Sequence, residues 1–124
     1  MASILEMTQD LVRLGAADQL LDAVNTYYAD DVTITESTGE TAQGRETQLD
    51  RMKQFEASIG EMHGGGVHAI TANEDQGVSM VESWIDATFA DGSRRKLEEV
   101  ERYRWQDGKI VDARFYYATG SPAE

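Results

Sequence analysis

A chain of 124 residues, 40% apolar and 27% charged, is long enough to bury a core and is composed like a folded globular protein. Its formal charge of −12 argues against nucleic acid or an anionic membrane as a partner, because both are met by basic surface. The absence of cysteine excludes a disulfide framework, a thiolate metal site and a cysteine nucleophile.

Ser3 and Glu6 have the spacing of a capping box, which starts a helix at about Ile4. Ile4, Met7, Leu11 and Leu14 repeat at helical spacing, and Gly15 is a suitable stop. A second helix is expected from about Ala17, with Leu20, Leu21, Val24, Tyr27 and Tyr28 as its apolar stripe. The first strand follows. In its segment VTITE, Val32 and Ile34 share one face, and the next residue on that face is Glu36. STGETAQG is turn-rich with room for a very short strand. Arg45 to Ile59 reads as a third helix with Leu49, Met52, Phe55 and Ile59 inward, and GEMHGGG reads as a loop.

Strands are then expected over 67–74, 77–89, 94–105 and 109–118. ADG at 90–92 and QDG at 106–108 both suit three-residue hairpin loops with glycine in the left-handed position. That loop length sets Ile85 against Leu97, Ser83 against Glu99 and Val81 against Glu101, with Asp86 opposite Lys96 on the other face. In the second hairpin it sets Leu97 by Tyr117, Glu99 by Phe115 and Glu101 by Ala113, with Arg102 opposite Asp112. A two-residue loop sets apolar against polar faces throughout. Helices followed by an antiparallel meander imply an α+β fold, one domain over 1–124, with the helices on one face of a curved, mostly antiparallel sheet.

One face of the third long strand carries Leu97, Glu99, Glu101, Tyr103 and Trp105; the other carries Lys96, Glu98, Val100, Arg102 and Arg104. With Glu36, three carboxyl groups are expected on the buried side, where glutamate is rarely found unless paired. The small neighbours Val81, Ser83 and Ala113 leave room beside them, as in a pocket whose acids are poised by burial for proton transfer. The alternative is that the acids pair with Arg13, Arg45 or Arg51, or sit at a wet pocket mouth.

Three segments, YYADDVTITESTG, QGRETQLDRM and VERYRWQDGKIVDARFYY, resemble the nuclear transport factor 2-like superfamily, in particular its SnoaL-like and ketosteroid-isomerase-like branch. The resemblance covers nearly the whole chain and implies a cone-shaped, cystatin-like roll with three N-terminal helices. The fold hosts many activities. It implies Glu36 at the position of the isomerases' general base and Glu101 at that of the protonated acid in their oxyanion hole, two carboxyl groups tuned apart by environment. The expected pocket also includes Glu99, His68, Tyr117, Phe115, Ser83 and Met52. The implied chemistry is cofactor-free proton transfer (isomerase, dehydratase or cyclase type) on a small apolar carbonyl compound; the alternative is a non-catalytic ligand-binding or protein-interaction module. Two positions depart from the family pattern. Leu11 or Val12 stands where the isomerases keep an oxyanion tyrosine, for which Tyr103 or Tyr117 of the sheet is a candidate substitute, and Phe115 where the cyclases carry an acid.

His63 and His68 match no metal motif, so no metal or other cofactor is expected. His68 is read either as pocket-facing or as a surface histidine, and Gly64 to Gly66 as a rim or bulge. Trp84 alternates onto the outer sheet face with Arg102, Arg104, Arg114 and Tyr116. That face suits a homodimer interface or a lone tryptophan covered by arginine stems. No apolar run approaches a membrane span and the N-terminus lacks a signal-peptide pattern, so a cytoplasmic location is expected.

Overall fold

The computed structural model describes residues 2–117. Helix α1 spans Ile4–Ala16 and starts on the expected capping box: Ser3 Oγ accepts from the Glu6 N–H at 3.0 Å, and Glu6 Oε1 accepts from the Ser3 N–H at 2.8 Å. Glu74, seventy residues on, accepts from the N–H groups of Ile4 and Leu5, which fixes the helix start against a distant hairpin. Helix α2 spans Leu20–Tyr27, three residues later than expected, because Asp18 takes a left-handed φ of 59° in the turn before it. Strand β1 (Tyr28–Thr35), the short strand β2 (Thr41–Gln43) and helix α3 (Arg45–Ser58) follow. Four long strands complete the described residues: β3 (Ile59–Asn73), β4 (Val78–Phe89), β5 (Arg94–Gln106) and β6 (Lys109–Tyr117). Residue 118, the expected end of the last strand, lies outside the described residues.

The strands form one curved sheet in the order β2-β1-β6-β5-β4-β3, parallel only between β1 and β6. Leu11 of α1, Ala23 and Val24 of α2 and Leu49 of α3 cover one face of it, packed on Val32, Ile34, Val81, Ile110 and Ala113. Each of these strand residues is at most 1% exposed, and burying such a branched side chain contributes on the order of 1.5–3 kcal/mol.

The β4–β5 hairpin has the expected three-residue loop: Phe89 donates to Ser93 across it, Gly92 has a φ of 87°, and Val81, Ser83 and Ile85 oppose Glu101, Glu99 and Leu97. The β5–β6 hairpin differs. Its loop is two residues, Asp107 and Gly108, both with positive φ, so Gln106 pairs with Lys109 and Trp105 with Ile110. That loop alone sets apolar against polar, but Val111 is left unpaired in a bulge, and from Arg104–Asp112 onward the faces match again. Glu99 therefore opposes Tyr117 and Glu101 opposes Phe115, two residues along from the expected register and on the expected face.

GEMHGGG is not a loop. It is the first half of β3, paired along β4 with three bulges. Its glycines make room for the Trp84 ring: a Cβ at Gly64 lies 3.5 Å from the indole, and one at Gly66 lies 3.0 Å from its Nε1. The indole thus lies across bare backbone. Strand pairing and this contact override the weak strand propensity of glycine. Among the described residues, no helix is long and apolar enough to cross a membrane.

Candidate active site on the inner sheet face

Cross-strand rows order the inner face by depth. The deepest, Ser79–Tyr103–Ala113–Ile34, is buried throughout. There Ser79 Oγ meets Thr8 Oγ1 at 2.8 Å and accepts from Trp105 Nε1 at 2.9 Å, so the polar atoms at the closed end are paired within the protein. The next row is Ile70–Val81–Glu101–Phe115, and the one after it Val67–Ser83–Glu99–Tyr117. Beyond lie Gly65, Ile85 and Leu97. Exposure rises toward β3 along this series, from 1% at Val81 to 40% at Val67, whereas Ala87 and Phe89, further along β4 on the same face, are buried, with Arg95 lying over the Phe89 ring.

Glu101 accepts from Tyr103 Oη at 2.8 Å and from Ser83 Oγ at 3.1 Å. Burial, with the Glu101 charge beside it, raises the Tyr103 phenol well above its ordinary value, so it remains a donor. Burial also pushes the Glu99 carboxyl up to about 9, followed by the charge of Glu101, a hydrogen bond to it, and the charge of Glu36. Glu99 therefore holds a proton at neutral pH.

Glu36 follows β1 and is ion-paired with Arg51 of α3; it also accepts from Tyr117 Oη at 2.7 Å. Arginine pairing was among the sequence alternatives, and Arg51 supplies it for Glu36, with side chains 17% exposed at Glu36 and 31% at Arg51. Burial and the Glu36 bond push the Tyr117 phenol up to about 12. Since Tyr117 also opposes Glu99, it ties the first-strand acid to the β5 acids. Met52 and Phe115, both half-buried, pack against the core beside them.

His68 does not join this group. A bulge between Val67 and Ala69 takes it out of alternation, and it lies on the outer face, stacked on Trp84 at 6.4 Å between ring centroids with Nε2 3.9 Å from Glu98. The pocket-facing expectation is corrected by one extra residue. The sequence did not single out Arg51 from Arg13 and Arg45 as the partner, whereas Tyr103 was one of the two sheet tyrosines offered as a hydroxyl donor. The signal for Tyr103 was its place two residues from Glu101 on one strand face.

A cleft of about 620 Å³ is lined by Tyr28, Ala29, Asp30, Asp31, Arg45 and Lys109, at the opposite end of β1 from Glu36. The carboxyl cluster rather than this cleft is the candidate site, because its groups are held by hydrogen bonds on a largely buried face and Glu99, Tyr103 and Tyr117 among them are raised in pKa. Among the described residues no group of three or more His, Cys, Asp or Glu could hold a metal ion.

The family model for the SnoaL-like domain matches residues 9–113. A Mesorhizobium loti structure named as a candidate SnoaL-like polyketide cyclase is 28% identical, with a TM-score of 0.82 over 94% of this chain and 100% of that one. A Pseudomonas putida structure, named as a candidate polyketide cyclase, is 16% identical with a TM-score of 0.81 over 96% and 94%. A Mycobacterium tuberculosis epoxide hydrolase of the LEH-like type is 16% identical with a TM-score of 0.69 over 93% and 82%. A search of curated proteins finds no match. The likenesses under 25% identity carry the fold, which is nuclear transport factor 2-like, and nothing about substrate. By the match over residues 9–113, the chain belongs to the SnoaL-like domain family.

Proposed function

We propose that the inner face binds a small apolar carbonyl compound and moves a proton on it without a cofactor, in an isomerase, dehydratase or cyclase type of reaction. The observation that carries this reading is the convergence of three carboxyl groups in unlike settings. Glu36 is paired with Arg51 and accepts from Tyr117, Glu101 accepts two hydroxyl hydrogen bonds, and Glu99 keeps a proton. A base and an acid side by side, set apart by environment, are what proton abstraction and return require. Glu36 serves as the base, and the Glu99–Glu101 pair as the proton donor and electrostatic partner. The test is exchange of protons next to the carbonyl of a panel of apolar ketones, followed by NMR in heavy water. Wild type is expected to accelerate exchange, and Glu36→Gln to abolish it.

The Arg51 pair also favours a second reading, in which Glu36 is structural and the face binds a ligand or a protein partner without turnover. Binding of the ketones with no exchange selects it.

We also propose a symmetric homodimer through the outer face. Support comes from Trp84, Arg102, Arg104, Arg114 and Tyr116 on that face, with Tyr116 47% and Met80 42% exposed. Light scattering at micromolar concentration should give twice the chain mass in wild type and the single-chain mass in Trp84→Glu.

A further inference from the structure

Two arginines stand at the inner face, and their surroundings differ. Arg51 is paired with Glu36. Arg95 lies on the same face of β5 as Leu97, Glu99 and Glu101, opposite Ala87, and its Nε is buried without a partner. Among the described residues the arginine ion pairs are those of Arg13, Arg45, Arg51, Arg94 and Arg102, and not of Arg95. The chain has 23 acidic residues for 11 basic ones, so a shortage of acids does not explain this. Asp91 of the β4–β5 loop accepts from Ser93 Oγ at 2.6 Å and from the Ser93 N–H at 2.9 Å; the Arg95 charge acts on it without a bond. The Arg95 guanidinium instead lies over the Phe89 ring, 4.2 Å from its centroid, and Phe89 is itself buried. Stacking holds the planar fork in one orientation and leaves its N–H donors unused, a state suited to a planar oxyanion.

Between Arg95 and the carboxyl cluster the face is apolar. Leu97 and Ile85 oppose each other there and are half-buried, and Met62, across from Ala87 on β3, is 51% exposed. Arg95 and Glu99 are separated by four steps along β5, about 13 Å of extended strand. That exceeds the Debye length of ~8 Å at physiological salt, so the acids oppose an anion at Arg95 only weakly. A cation placed there meets the arginine's own charge. A wholly apolar molecule covers the guanidinium and leaves its donors unpaired. One arginine matches the single charge of a carboxylate better than a phosphate dianion.

We propose that the inner site takes an amphipathic carboxylate, whose anionic head accepts from the Arg95 guanidinium and whose apolar body runs along Leu97 and Ile85 toward Glu99. This rests on the inner-face reading above and narrows its carbonyl compound to a keto acid. The carboxylate stands at Arg95, and the carbonyl, at the far end of the molecule, stands among Glu36, Glu99 and Glu101. Arg95 is then a binding residue that sets which end of the molecule faces the acids, and it takes no part in the proton step.

The test uses the full chain and three probes of one shape, octanoate, octanol and octylamine, with binding followed by amide NMR. At neutral pH octanoate is expected to bind about tenfold more tightly than octanol, the difference made by one charge-assisted pair, with octylamine weakest. The shifts should centre on Arg95, Leu97 and Ile85. Arg95→Gln should reduce octanoate to the affinity of octanol, whereas Arg94→Gln, which removes the same charge from the outer face, should leave octanoate unchanged. Equal losses in the two variants would trace the effect to net charge and overturn the proposal. Octanol binding as tightly as octanoate, with the same residues shifted, also overturns it while the inner-face reading stands. If no probe shifts those residues, both fall.

Discussion

Glu99 and Asp86 lie on neighbouring strands of one sheet, and their carboxyl groups are driven in opposite directions. Asp86 is on the outer face, where Arg94 grips both its oxygens, at 3.1 Å from Nε and 2.9 Å from its terminal nitrogen, and this bond holds its pKa below the ordinary value. Glu99 is on the inner face, where burial and two further carboxyl groups raise it. The face decides. An outer acid has solvent and arginine within reach, whereas an inner acid has helices above it and other acids beside it. The outer face therefore contributes ordinary surface electrostatics, and the inner face stores an unfavourable charge arrangement of the kind found at functional sites.

The contrast is sharpest in packing. Ile34→Ala, at a position with 0% exposure, is expected to cost about 3–4 kcal/mol through lost burial and a cavity, whereas Met80→Ala on the outer face, 42% exposed, should cost under about 0.5 kcal/mol. Urea unfolding of both variants checks this. Equal losses would erase the distinction between the faces.

The next effect is on pH dependence. Glu99 is protonated in the folded protein at pH values where the unfolded chain has released that proton. Its contribution to stability is thus fully present below the unfolded value of 4.5 and is lost as pH rises toward about 9. Wild type should lose stability with rising pH at up to about 1.4 kcal/mol per unit from this group, or up to about 3 kcal/mol between pH 6 and 8. Glu99→Gln should flatten that slope and melt higher than wild type at pH 8. A mutant slope identical to wild type would remove Glu99 as its source.

Glu36→Gln strips the ion-pair partner from a half-buried Arg51 while keeping an oxygen for Tyr117 and Arg51 to bond. The side chains are 17% and 31% exposed, so the expected cost is about 1–2 kcal/mol, below the 3–5 kcal/mol of a fully buried pair. A melt at neutral pH that rises in this variant would assign Glu36 to function alone.

The smallest effect is on the outer face. Asp86→Asn should lower the melting temperature slightly at pH 7, and the difference should vanish in acid. A depressed carboxyl contributes stability above its unfolded value of 3.8 and loses it as pH falls through the folded one. A large loss at pH 7 would place Asp86 with the inner acids.

Much of the scaffold was legible because its signals are local. Ser3 with Glu6 marks a helix start, and the glycine of ADG marks a three-residue loop. Period-two alternation along β5 put Glu99 and Glu101 on the same side as Leu97, Tyr103 and Trp105 before any contact was known. Parity protected this reading even where the register moved, since a shift of two residues leaves each side chain on its face.

The bulges were not legible, and they have consequences. One unpaired residue, Val111, corrects the short β5–β6 loop; another, at His68, turns a candidate pocket residue outward onto Trp84. Bulges answer to what lies across the sheet, so no local pattern announces them. The length of β3 is of the same kind, since its glycine tract is strand because β4 pairs with it and Trp84 covers it.

By itself the sequence determined the element types outside the glycine tract, the two faces of β5 and the presence of carboxyl groups on the buried one, because capping, turn chemistry and alternation act over a few residues. Only the tertiary structure decided that Arg51 neutralises Glu36, that Tyr117 links Glu36 to the β5 acids and that Glu99 keeps its proton. Those outcomes depend on groups brought together from fifteen to eighty-one residues apart, where charge and desolvation act through space and are set by packing.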